Sequence, residues 1–477
     1  MGNEDPQLLE RAGIEQQVEP LAGREPALLV QLGDAFGAAA RVGESASAFE
    51  FGEARGCVQE LSLAMLLPLT VPDGANRLGV RGSAAMLNSG REPVNRSPST
   101  KRASVRYASR FPYLEHLAWS HNPAHVHHLA MSAVPTPSRE IFDPAAGPVL
   151  LDAIGEGECE MMRLLAERYG VPPERILLVS GLSEGLYLAA CALIEPGDFA
   201  LVETPGYQSL AGVAIAAGAT IRTLPRGLDG ALDPAEATAC IVRTAEEARG
   251  AGRRLALVML ADLNNPTSAR LPDAAVDALA EASRRAGATL LLDEVYRDAD
   301  PGRPVGTAQS RHPDIVTLSS LTKAYGFGGL RMGWLMAPPE LRDACWRVKL
   351  FLTVDVSGPA VGLGIRILRV ADPILEWARP ILEENRQTLT AALYDRPSGF
   401  VMPEGASVGT TVFPYRPGGP DTLAEVVSWR ETHKLAVIPG AWFGAPSGVR
   451  IGLGKPPDAF RKALEVWLSA LAAPARA

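Results

Sequence analysis

Lysine is scarce in this chain. Only six occur in 477 residues, at positions 101, 323, 349, 434, 455 and 462, and arginine carries the rest of the positive charge. Cysteine is also sparse. Cys57, Cys159, Cys191, Cys240 and Cys345 are scattered with no Cys-x-x-Cys pair, which argues against a disulfide framework and reads as reduced thiols in a cytosolic protein. Cationic excess is missing: 46 Lys+Arg against 54 Asp+Glu give a net charge of −8. That balance argues against a general binder of nucleic acid or anionic membrane. No apolar run approaches about 18 residues, so no membrane span is expected. The start, Met1-Gly-Asn-Glu-Asp-Pro6, lacks a charged-then-apolar secretory pattern. Pro6 stands where a myristoylation signal needs Ser or Thr. A cytoplasmic location is the expectation.

What is present fits a folded protein. Hydrophobic residues make up 47% and charged residues 21%, close to soluble globular norms. The length suggests about two to three domains at ~150 residues each, with a core that needs neither disulfide nor metal. Residues 1–103 show no clean alternation of strands and helices. Residues 1–102 carry a net charge of −3, and 88–100 read as a polar linker. Short helical patterns cover 4–17 and 26–40, and the whole reads as a poorly ordered extension. From about residue 155, apolar strands alternate with helical segments. Strands are expected at 175–180, 199–203, 255–260, 289–293 and 315–318, and helices at 185–193 and 274–286. Such alternation means an α/β fold whose parallel sheet is covered on both faces. Ligands of such sheets sit at the carboxyl ends of the strands.

Lys323 is unlike the other lysines. It lies in Ser319-Ser-Leu-Thr-Lys-Ala-Tyr-Gly-Phe-Gly-Gly-Leu-Arg-Met-Gly-Trp334, just after an expected buried strand. A lysine there can be desolvated, which lowers its pKa and makes its amine a nucleophile for carbonyls. Ser320 and Arg331 flank it with groups that bind anions.

This segment resembles the Schiff-base motif of the class I/II aminotransferases, fold type I, which bind pyridoxal phosphate (PLP). The resemblance implies that Lys323 bonds the cofactor aldehyde and that Ser320 and Arg331 bind its phosphate. Further motifs of that family follow in order. Ser180-Gly-Leu-Ser-Glu-Gly-Leu186 joins a strand to a helix, and helix N-termini bind phosphate; by resemblance Gly181, Leu182 and Ser183 take that role. Glu203-Thr-Pro-Gly-Tyr207 resembles the segment whose aromatic ring stacks on the pyridine, giving Tyr207. Asn264-Asn-Pro-Thr-Ser268 resembles Asn-Pro-Thr-Gly, in which Asn265 would bond the phenolic oxygen; Ser268 replaces the usual glycine and is expected to alter the turn but not the cofactor contact. Leu290-Leu-Leu-Asp-Glu-Val-Tyr296 supplies Asp293 for the pyridine nitrogen, which makes PLP an electron sink, and Tyr296 for a second contact to the phenolic oxygen. Val449-Arg-Ile-Gly-Leu-Gly454, preceded by Val437-Ile-Pro-Gly-Ala-Trp-Phe-Gly444, resembles the small-domain motifs. Arg450 would grip the substrate α-carboxylate with a bidentate fork.

The resemblance implies a large domain at 155–349 with a mostly parallel seven-stranded sheet. It adds a small α/β domain from 104–154 and 350–477, and a homodimer. The expected activity is transfer of an amino group between an α-amino acid and a 2-oxo acid. Another PLP reaction, by a β-lyase, decarboxylase or oxidase, would use the same residues. An aminotransferase-like transcription regulator would need a DNA reader in the extension, which its negative charge disfavours. The family's interface tyrosine has no counterpart before Gly157-Glu-Cys-Glu-Met-Met-Arg163, so the partner's phosphate contact is left unassigned. Five of seven histidines fall at His116, His121, His125, His127 and His128. They lack the interleaved ligands of a metal site and read as packing or surface residues, or else as lining the substrate entrance. No metal is expected.

Overall fold

The computed structural model describes residues 126–143, 156–395, 398–403 and 408–472. The extension, the linker and His116, His121 and His125 lie outside them. In chain order the elements are β1 (His127–His128), α1 (Glu156–Tyr169), β2 (Ile176–Val179), α2 (Leu182–Leu193), β3 (Phe199–Thr204), α3 (Gln208–Ala216) and β4 (Thr220–Pro225). Then come α4 (Pro234–Gly250), β5 (Leu255–Ala261), α5 (Asp273–Ala286), β6 (Thr289–Asp293), β7 (Val316–Ser320) and β8 (Gly333–Met336). The remainder is α6 (Pro339–Lys349), α7 (Gly358–Arg369), α8 (Ala371–Asp395), β9 (Thr411–Val412), α9 (Leu423–His433), β10 (Leu435–Ala436), β11 (Ile438–Pro439), β12 (Val449–Gly452) and α10 (Pro457–Ala472).

Local chemistry sets several boundaries. The Asp233 carboxylate accepts the Ala235 amide at 2.8 Å and caps α4. Gly287, at φ 70°, ends α5 in the left-handed conformation that glycine adopts without penalty. β5 is buried along its full length. Its Leu257 and Met259 pack into one core and its Val258 and Leu260 into another. Helices therefore cover both faces, and the strand reads as one continuous apolar run.

The main sheet has seven strands in the order β2-β8-β7-β6-β5-β3-β4. β3, β4, β5, β6 and β7 pair in parallel, while β8 is antiparallel to both β7 and β2. β2 thus points the same way as β7. The carboxyl ends of β2, β3, β5, β6 and β7 share one edge of the sheet, and β8 enters from that edge. Every cofactor motif on the large sheet follows one of those ends or precedes β8.

Two smaller sheets complete the fold: β11-β12-β9, antiparallel, and β1 paired in parallel with β10. They rest on a core built with α8, α9 and α10. Between β12 and the Lys323 loop runs an irregular strap, residues 129–136. Leu129 N donates to Ala436 O at 2.8 Å, Gly452 N to Leu129 O at 2.6 Å, and Val134 N to Lys323 O at 3.0 Å.

Candidate active site

Lys323 stands three residues beyond the end of β7. Its Nζ donates to the Ser132 hydroxyl at 3.0 Å. Burial, with the neighbouring Arg450 guanidinium, pushes its amine down to about 8, and the Asp293 carboxylate opposes that fall. An amine near 8 is largely charged at neutral pH, yet it yields a useful fraction of nucleophile.

Asp293 closes β6, and its Oδ1 accepts the Val295 amide at 3.0 Å. Burial pushes its carboxyl up to about 7, and the nearby Glu203 carboxylate adds to the rise against the Val295 amide and Lys323. Oδ2 has no partner among the described residues. A buried acid with one unused oxygen suits a ligand that brings a cationic N–H. Tyr296 follows β6 and its hydroxyl donates to Ser132 Oγ at 3.1 Å.

The loop after β5 presents Asn265, whose Oδ1 accepts from Arg450 Nη1 at 3.0 Å. Its Nδ2 donor is left over. Arg450, buried in β12, also donates from Nη2 to Ala130 O at 2.9 Å and lies 5.3 Å from the Phe443 ring centroid. The guanidinium is thus held rigidly beside the loop after β5. Tyr207, half-buried after β3, packs against both the core of the large sheet and the small cluster around Trp442 and Phe443.

The anion end is built from three segments. Gly181 caps α2 at φ 86° without a side-chain bond. The amides of Leu182 and Ser183, in the helix's first turn, have no partner among the described residues. Arg331, itself left-handed at φ 53°, reaches across so that a Cβ added to Gly181 would strike its guanidinium. Ser320 is buried and its Oγ accepts the Thr322 amide at 3.3 Å, which leaves its proton to donate. Uncapped amides at a helix N-terminus, an arginine and a hydroxyl are groups that could cradle a phosphate. These residues fit PLP: donors for the phosphate, an amine for the aldehyde, an acid for the ring nitrogen.

The residues named for the cofactor therefore lie at one edge of the sheet, with Arg450 brought from β12. Ser268 takes the left-handed conformation, at φ 56°, and its Oγ meets Thr411 Oγ1 at 2.8 Å. Gly157 to Arg163 lie in α1. His127 and His128 form β1, and the His128 Nδ1 accepts the Ala130 amide at 3.2 Å. Among the described residues no cluster of His, Cys, Asp or Glu could hold a metal.

Sequence reading missed Ser132, which touches both Lys323 and Tyr296, and the buried Glu203–Arg226 pair behind Asp293. The only sequence signal for Ser132 is the uncharged run 129–138 that follows the histidines.

The comparisons with known proteins agree with this geometry. The family model of aminotransferase class I and II matches residues 155–466. Capreomycidine synthase of Streptomyces vinaceus is 28% identical over 320 residues, 66% of this chain and 78% of that protein. Histidinol-phosphate aminotransferase of Symbiobacterium thermophilum is 30% identical over 322 residues, 66% of this chain and 82% of that one. The crystal structure of the PLP-dependent cyclase OrfR superposes with a TM-score of 0.64 at 27% identity, covering 75% of this chain and 95% of that chain.

Proposed function

This chain belongs to the class I and II aminotransferase family and is a PLP-dependent transaminase, and we propose that Lys323 is its catalytic residue, within a cofactor site at 155–349 and a small domain of 104–154 with 350–477. The single observation that carries the assignment of roles is the placement of the Lys323 amine, lowered to about 8, beside the Asp293 carboxyl, raised to about 7. PLP, when bound, supplies the electron sink for electrons released at the substrate α-carbon.

In this reading Gly181, Leu182, Ser183, Ser320 and Arg331 hold the phosphate. Tyr207 packs on the ring, Asp293 pairs with its nitrogen, and Asn265 and Tyr296 bind its phenolic oxygen. Arg450 takes the α-carboxylate of the amino acid with two parallel hydrogen bonds. That grip fixes how the Cα–H bond is presented. Lys323 Nζ lifts the proton from Cα and delivers it elsewhere on the same face, a service worth about 10²–10⁴ in rate. Water supplies the oxygen of the departing 2-oxo acid, the amino group would stay with the cofactor, and a second 2-oxo acid accepts it in the reverse sequence.

The partner copy is part of the proposal. Trp346, Leu350, Phe351, Leu352 and Val354 are exposed together at and beyond the end of α6. Thr353 bonds Glu184 in the first turn of α2, so this apolar patch adjoins the phosphate cradle. A second copy of the chain covers it, giving a homodimer. No helix among the described residues is long and apolar enough to cross a membrane, and a cytoplasmic location fits the reduced cysteines.

A second reading has its own support, because two of the similar proteins are named as a synthase and a cyclase. In it the same residues break a different bond of the amino acid. The test is a screen of amino donors on the PLP-loaded protein. Donor-dependent conversion of the bound cofactor to its amine form, followed by reoxidation with a 2-oxo acid, carries the transaminase reading. Product formation with no such conversion carries the second.

A further inference from the structure

Ser132 lies in the strap between β12 and the Lys323 loop, on no motif, and is buried. Its Oγ accepts two hydrogen bonds, from Lys323 Nζ at 3.0 Å and from Tyr296 Oη at 3.1 Å. The strap is fixed through its backbone, not through this hydroxyl. Thr410 Oγ1 donates to Ser132 O at 2.8 Å, Arg450 Nη2 to Ala130 O at 2.9 Å and Val134 N to Lys323 O at 3.0 Å. A side chain held so firmly against the lysine has a defined geometry and little freedom to leave.

We propose that Ser132 is a positioning residue that holds the Lys323 amine over the reacting carbon whenever the amine is not bonded to the cofactor. The proposal rests on the role of Lys323 given above. A hydroxyl suits the task because it both donates and accepts. It accepts from the ammonium that has taken the Cα proton, and it donates to the lone pair of the neutral amine before and after. The contact therefore survives the proton transfer, which a carbonyl or a carboxylate would oppose in one state. The charged and titratable groups around the amine are Arg450, Asp293, Arg331 and, through Ser132 itself, Tyr296. None of them is removed when the hydroxyl is.

The test compares Ser132→Ala with the parent protein. PLP binds at the parent stoichiometry and the KM for the amino donor stays within about twofold. Turnover falls about tenfold to a hundredfold, the worth of one hydrogen bond to a charged group. In the apoprotein, modification of Lys323 by an amine-directed reagent, mapped by peptide mass spectrometry, moves its pH midpoint downward, since the ammonium has lost an acceptor. Ser132→Thr restores turnover to within about threefold. If Ser132→Ala does not fold, Ser132→Cys, similar in size and a poor acceptor, takes its place. Unchanged kcat with an unchanged labelling midpoint overturns the proposal, as does a rise in KM alone. Absence of PLP binding or turnover in the parent protein would instead sink the reading of Lys323, and that is seen before any variant is made.

Discussion

Arg226 and Glu203 form an ion pair with no exposed side-chain surface, Nη1 to Oε2 at 2.7 Å. Arg226 also donates from Nε to Gly230 O at 2.9 Å, and Glu203 accepts the Ala261 amide at 2.8 Å. The pair ties the ends of β3, β4 and β5 together behind Asp293. Burial pushes the Glu203 carboxyl up, and Arg226, with the Ala261 amide and Asn264, opposes that rise. Arg226→Met leaves that carboxylate without its cation. The expected loss is about 3–5 kcal/mol, the cost of breaking a buried pair from one side. Arg226→Met with Glu203→Gln recovers part of it. Denaturant midpoints of the three proteins decide the matter, and equal losses in the single and double variants would contradict it.

Lys323→Ala removes the amine that we propose bonds the cofactor and carries the proton. Borohydride treatment of the PLP-loaded parent fixes the cofactor to one peptide containing residue 323, and the variant gains no such mass. Transamination falls by at least about 10²–10⁴. Retained activity in the variant would refute the role of Lys323.

Gly181→Ala tests the phosphate cradle. At φ 86° and ψ 164° the backbone lies in a region essentially reserved for glycine, and a side chain there costs about 1–3 kcal/mol. The added methyl also meets the Arg331 guanidinium. The variant relieves the backbone strain by moving the loop that presents the Leu182 and Ser183 amides, and the clash by displacing the Arg331 guanidinium. PLP affinity drops by about ten- to a hundredfold at 1.4 kcal/mol per decade. Fluorescence titration of the apoprotein with PLP measures it.

The pattern of what the sequence revealed follows the range of each interaction. Asn265, Asp293, Lys323 and Arg331 each sit within a few residues of a strand end, and strand ends are marked by continuous apolar runs. β6 lies at Thr289–Asp293, as expected. β4 went unread because Thr-Ile-Arg-Thr-Leu-Pro is an edge strand with only Leu224 buried, so no apolar run announces it. β8 was hidden inside the tail of the lysine motif. Ser132 reaches Lys323 across 191 residues and Arg226 reaches Glu203 across 23. Nothing local encodes either meeting; the strap's path between β12 and the β7 loop creates the first, and the pairing of β3 with β4 the second.

The buried acid at the end of β6 makes apoprotein stability depend on pH in a definite direction. Asp293 is raised from 3.8 to about 7 in the fold. Between those values it is protonated when folded and ionised when unfolded, so the unfolded state binds fewer protons. Its contribution is present at low pH and is lost as pH rises through about 4 to 7, at about 1.4 kcal/mol per unit. Asp293→Asn cannot lose it. The melting temperature of the parent apoprotein falls relative to that of the variant across this window and stays parallel above it. Glu294, also raised to about 7, is common to both proteins and cancels. A parallel course below pH 7 would show that burial does not hold Asp293 neutral.

The apolar patch beyond α6 predicts the state of assembly. Phe351 is 91% exposed, with Leu352 at 51% and Val354 at 49% beside it. Monomeric soluble proteins seldom leave such side chains contiguous in water. Lys349, at the end of α6, turns inward and donates to Val354 O at 2.6 Å, so the loop is braced in this exposed form. Phe351→Asp places a charge where an apolar contact would be lost. The parent protein sediments as a dimer and the variant as a monomer. Because the patch adjoins the phosphate cradle through Thr353 and Glu184, the monomer also binds PLP more weakly. A parent protein that sediments as a monomer, or a variant that stays dimeric, removes this face from the interface.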